Sequence, residues 1–145
     1  MCYICATYAE NTILRAHYAF MAHRSGMSIA KLKLVAVNQG GDGGGGDVAA
    51  VDLARAASAT PSSVSPALVQ RLMRLYSPPG VVELLITVSL ATMYHRWTSV
   101  YVPTTYEPEI LMFLQEHGAA LSIDSMSPCT EEQGTWDAIS LETRG

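Results

Sequence analysis

Cys2 and Cys5 stand three residues apart at the start of the chain, and Glu10 and His17 follow seven residues apart. Each pair suggests a different chemistry. Two thiols on the first turn of a helix are favoured as thiolates by the helix N-terminus, and such a dithiol could reduce a peroxide or a disulfide. A dithiol of this kind needs a proton relay. The residue four after Cys5 is Ala9, and His17 lies twelve residues on. On a continuous helix that is about 18 Å along the axis and about 120° around it, too far for transfer to Cys5. Incidental thiols are therefore the expected reading of Cys2 and Cys5, with redox chemistry as the alternative. Glu10 and His17 would share one face of the same helix, two turns apart, where a ligand could meet an acid and a base. Histidine titrates near neutral pH, which suits proton transfer.

A third group, Tyr94, His95 and Arg96, ends the most apolar stretch of the chain. Arg96 is a natural bidentate partner for a carboxylate, and Tyr94 and His95 could stabilise an anionic intermediate. The same three residues could instead make a subunit contact. Glu83, near the start of that stretch, reads as favouring the helix dipole. His23 and His117, near helix ends, read as structural for the same reason. A zinc site would have to draw on Cys2, Cys5, His17 and Cys129. Structural zinc usually takes two close ligand pairs, and the chain offers one, so no metal is expected.

The elements that must hold these residues are helical. Residues 3 to 24 lack Pro and Gly and repeat apolar positions at helical spacing through Ile4, Tyr8, Ile13, Leu14, Tyr18 and Met21. Gly26 ends that helix, and Ser28 caps the next. The glycine-dense "NQGGDGGGGD", residues 38 to 47, reads as a flexible link. It is not a phosphate-cradling loop, because no strand precedes it and no Lys-Ser/Thr follows. Asp47 caps "VAAVDLARAASA", and Ser65 with Pro66 opens "ALVQRLMRLYS". Residues 80 to 101 form the longest and most apolar helix, which such composition predicts to be buried on nearly every side. Pro103 ends it. "YEPEILMFLQEHG" is a last amphipathic helix closed by Gly118, and the tail from Ser122 is polar and irregular. Strand alternation is absent. An all-α domain of about six helices over residues 1–121, with an irregular tail over 122–145, is expected.

Composition bounds the rest. Hydrophobic residues make up 49% of the chain and charged ones 15%, too few charges to cover a small globule. Some apolar surface is expected in a homo-oligomer, whether dimer, trimer or hexamer. The net charge is −4 and the nine Lys and Arg are scattered. That argues against nucleic acid, which needs a basic patch. No apolar run reaches the roughly 18–20 residues of a membrane span, and no basic and apolar leader marks a secretory signal. Three cysteines make no disulfide framework, so a reducing, cytoplasmic compartment is expected.

Against this background "HYAFMAHRSGMSIAKLKLV" resembles the helix-to-helix junction of the carboxymuconolactone decarboxylase and AhpD-like superfamily. "LARAASATPSSVSPALVQRLMRLYSPPGVVELLITVSLATMYHRW" is similar to that family's second half, and "VPTTYEPEILMFLQEHG" to its closing helix. The resemblance spans roughly residues 10 to 120. It implies a helical, oligomeric protein that needs no cofactor. Of the family's two chemistries, the peroxidase branch would use Cys2 and Cys5, but the His it requires is replaced here by Ala9. The other branch uses His and carboxylate acid–base chemistry. The expectation is therefore a lyase or isomerase acting on a small organic acid, lactone or polyketide-like substrate. His17 would be the acid or base, Glu10 and His95 its partners, and Tyr94 and Arg96 would hold the substrate. The alternatives are a thiol peroxidase or disulfide reductase, and a non-catalytic oligomeric binding subunit.

Overall fold

A computed structural model describes residues 1–37, 45–101 and 105–124. All the regular structure among them is helical. The order is α1 (Cys2–Tyr8), α2 (Thr12–Arg24), α3 (Ile29–Ala36), α4 (Gly45–Ser58), α5 (Pro66–Leu75), α6 (Pro78–Val100) and α7 (Pro108–Leu121). The all-α expectation holds, with seven helices rather than about six among the described residues. Most of the expected link over 38–47, Pro103, and the tail beyond Asp124 with Cys129 lie outside the described residues.

The single helix expected over residues 3–24 is two. Glu10 adopts a left-handed backbone, φ 53°, and the chain turns there. The amides of Glu10 and Asn11 donate back to Thr7 and Ala6, which satisfies the orphan carbonyls of α1. Asn11 then caps α2, its side-chain oxygen accepting from Leu14 N at 2.9 Å. The same device ends α2 at Gly26 (φ 93°) and α7 at Ser122 (φ 52°). Gly118 does not end α7, as its residue type suggested. It lies inside the helix, where the returning chain passes so close that a Cβ would meet Ile123 O at 2.8 Å. Ser28 and Ser65 cap α3 and α5 as expected. Asp47 is not a cap but a first-turn residue of α4, which begins at Gly45.

Short α1 divides the interior. Tyr3 belongs to a cluster with Ala16 and Ala19 of α2, Leu32 of α3, and Ile110, Phe113 and Leu114 of α7. Its neighbour Ile4, about 100° further round the helix, belongs to a second cluster with Leu53, Leu72, Val81, Val88 and Ala91. Alanines at the contacts, Ala49 and Ala54 among them, let α4 approach α1 closely. Arg15 ties α2 to the end of α7 by donating to Leu121 O at 2.6 Å.

Helix α6 departs from expectation. It buries one narrow stripe, Val81, Val88, Ala91 and His95, and leaves most of its large apolar side chains exposed. The composition of such a helix calls for cover on nearly every side. Among the described residues of one copy that cover is missing.

Candidate functional site

The break between α1 and α2 opens one side of the molecule. A groove of about 730 Å³ runs between this turn, the segment after α4 and the last turns of α6. Glu10, His95 and Arg96 all line it, with hydroxyls from Ser58, Thr92 and Ser99. Asn11 fixes the turn to α6 by donating from Nδ2 to Thr98 Oγ1 at 2.7 Å. Thr98 in turn donates to Tyr94 O at 2.8 Å. The turn that carries Glu10 is thereby held against the helix that carries His95.

His95 is the unusual member. It is 8% exposed, the only buried polar or charged side chain among the described residues. Neither ring nitrogen has a hydrogen-bond partner there. Burial also lowers its pKa below the ordinary 6.5, since desolvation penalises the imidazolium. The ring is therefore neutral at pH 7. A neutral imidazole carries one donor and one acceptor, and leaving both unpaired in a buried place is costly. A hydrophobic residue would fill the position more cheaply. The histidine makes sense there if something in the groove uses it.

The sequence-derived set divides on this geometry. Glu10, His95 and Arg96 come together on the groove. His17 does not line it. The left-handed turn at Glu10 removes the continuous helix on which Glu10 and His17 were to share a face. His17 is half-buried on α2, edge-on to Tyr18 with ring centroids 5.8 Å apart. Tyr94 also falls away, because successive helical residues point about 100° apart. It is exposed on another side of α6. A clearer signal was present in the sequence: Thr92, His95, Arg96 and Ser99 fall at i, i+3, i+4 and i+7, a polar stripe along one face of an apolar helix.

Cys2 occupies the other end of α1. Cys2 lines a separate cavity of about 440 Å³, enclosed mainly by Tyr3, Ile4, Tyr18, Met21, Leu32 and Val51. Cys5 does not line it: it is fully buried at the middle of α1, its thiol 3.8 Å from Ala54 O, and both cysteines are free thiols. Burial raises the Cys5 pKa, outweighing a smaller lowering by the Ser58 hydroxyl. The thiolate stabilisation expected of a helix start does not prevail at Cys5. Tyr18 is pushed up to about 12, by burial first and by Cys2, Tyr94 and Cys5 nearby. Among the described residues, Asp47 is the one carboxylate that lines this cavity, and no histidine does.

His23 and His117 pack edge-on at 5.0 Å between ring centroids, both against Phe113. Glu83 is exposed on α6. Among the described residues no group of three or more His, Cys, Asp or Glu is arranged to hold a metal, and no helix is long and apolar enough to cross a membrane. The chain matches no protein-family model, no curated protein and no solved structure.

Proposed function

We propose that the chain is an acid–base enzyme of the carboxymuconolactone decarboxylase-like kind, acting in the groove on a small carboxylic acid, lactone or polyketide-like molecule. The observation that carries this reading is His95, buried, neutral and unpaired on a groove shared with Glu10 and Arg96. Arg96 binds the substrate carboxylate or the carbonyl oxygen that becomes an enolate. His95 takes the proton from the carbon beside that carbonyl, a role its depressed pKa suits because the free base is the resting form. Glu10 stabilises the resulting imidazolium and passes the proton on. Return of that proton at another carbon gives isomerisation. Alternatively, loss of carbon dioxide in place of the proton abstraction leaves its electron pair in the same enolate, which takes a proton at carbon to complete a decarboxylation. His17 drops out of the proposed machinery. The chain's own residues suffice for these steps, and homo-oligomerisation remains part of the reading.

The experiment is deuterium exchange. The native chain is incubated in D₂O with a panel of small keto acids, unsaturated acids and lactones, and deuterium at carbon is followed by NMR. Exchange into at least one class is expected, lost in His95→Gln and kept in His17→Ala. Exchange that survives His95→Gln, or none with any class, ends the proposal.

A second reading has one observation in its favour: Cys2 and Cys5 form a Cys-x-x-Cys pair of free thiols, of which Cys2 lines an apolar cavity. Oxidation of the two thiols to a disulfide would reduce a hydroperoxide to an alcohol and water. Peroxide turnover abolished by Cys5→Ser would favour it.

A further inference from the structure

The face of α6 opposite His95 carries Ile86, Leu90, Met93, Trp97 and Val100 at intervals of 4, 3, 4 and 3 residues. That alternation is the seam of a two-helix coiled coil, which keeps one apolar line facing a partner. All five are exposed, Trp97 at 61% and Val100 at 74%. Trp97 stacks on Tyr101, ring centroids 5.0 Å apart, so the aromatic end of the stripe is preassembled. Of the two charged side chains of the helix, Arg96 lies off this line, and Glu83, seven residues before Leu90, continues its register one step before Ile86.

These five side chains expose apolar surface on the order of 600 Å², taking roughly 150–250 Å² for each large side chain when fully open, and Val82 and Tyr101 beside them bring the face to about 800 Å². The largest patch on an ordinary monomer is about 300–600 Å². One partner of a stable complex contributes about 800 Å².

We propose that this face is the seam of a two-fold homodimer in which α6 packs antiparallel against α6 of a second copy. A second copy is the occupant the stripe fits best, because its five positions from Ile86 to Val100 are uncharged and an isologous interface needs only a self-complementary patch. Antiparallel packing centred on Met93 sets Leu90 opposite the partner's Trp97, and Ile86 opposite the partner's Val100. Large side chains then meet smaller ones, and the helix dipoles oppose. A parallel pair would set Trp97 against itself. Arg96 of the groove, four residues before Val100, lies between the polar stripe and this seam on α6, so the second copy forms a rim beside the proposed site. The inference does not depend on the acid–base reading.

The test is sedimentation of the full chain against the double variant Met93→Lys, Trp97→Lys. Both side chains are more than half exposed, so helix content measured by circular dichroism stays unchanged. The native chain is expected to be dimeric at about 50 μM, and the variant at least about 30-fold weaker in dimerisation, as loss of a central Trp anchor implies. A cross-linking arm fixes the direction. Mixed Ile86→Cys and Val100→Cys chains form a disulfide between copies, while Ile86→Cys alone does not. A native chain that stays monomeric overturns the proposal, including when its own residues 125–145 protect the face. So does a dimer indifferent to the two lysines. Efficient cross-linking of Ile86→Cys to itself overturns the antiparallel arrangement.

Discussion

The hollows at the two ends of α1 are built from opposite materials. At its start, Cys2 borders a cavity walled by Tyr3, Ile4, Met21, Leu32 and Val51. At its end, the turn at Glu10 opens a groove edged with hydroxyls, a carboxylate, a guanidinium and an imidazole. Desolvation acts on the thiol buried between them and on the imidazole of the groove, with different consequences. It raises the Cys5 pKa, which keeps that thiol protonated and a poor nucleophile. It lowers the His95 pKa, which keeps that imidazole in its basic form. The same physical effect thus disarms a thiol and arms a base.

The largest expected effect bears on which hollow is active. His95→Gln should lower turnover by about 10²–10⁴-fold, the usual contribution of a general base, while Cys5→Ser leaves it within a few-fold. Steady-state rates on the best substrate from the exchange panel check this, and the reverse pattern would move the activity to the thiol end. Arg96→Gln should come next. Loss of a charge-assisted bond, roughly 1.5–3 kcal/mol, raises KM for carboxylate substrates and spares uncharged lactones.

Much of the scaffold was legible in residue types. Ser28, Ser65 and Gly26 mark helix ends where the structure has them, because capping is a local interaction. The break at Glu10 was missed. Glutamate is an ordinary helix residue, and nothing in its type announces a left-handed turn. The clue was Asn11, a strong N-cap ahead of "TILRAH". That one miss wrongly joined Glu10 to His17. It was also what hid the groove, since the groove exists because the chain turns there. Arg96 and His95 were visible as candidates, but their separation from Tyr94 required helical phase rather than adjacency. The exposure of α6 was not legible from composition, because an apolar helix reads the same whether its own chain or another copy covers it.

Two smaller effects sharpen the contrast. A non-glycine residue in the left-handed region is strained, by roughly 1 kcal/mol. Glu10→Gly should therefore stabilise the fold by about that much while lowering activity, a trade expected of a functional turn. Asn11→Ala should destabilise by about 1–2 kcal/mol, since it loses the α2 cap and the bond to Thr98. Denaturant melts of the two variants decide both, and equal destabilisation would remove the strain argument.

The pH dependence is the mildest. Unfolded His95 binds a proton as pH falls through about 6.5, whereas the folded ring does so only at lower pH. The unfolded state then holds more protons in that window, so stability declines on acidification below 6.5. Replacing His95 by Gln should flatten this part of the stability profile.

The most direct test is the His95 ring itself. Its ¹⁵N signals can be followed by NMR from pH 8 to 4, with and without a small carboxylic acid that shows exchange. The account predicts a neutral ring at pH 7, a midpoint below 6.5, and saturable shifts on adding the acid that disappear in Arg96→Gln. A ring that titrates at or above 6.5 and does not respond to the acid would contradict the placement of the chemistry in this groove.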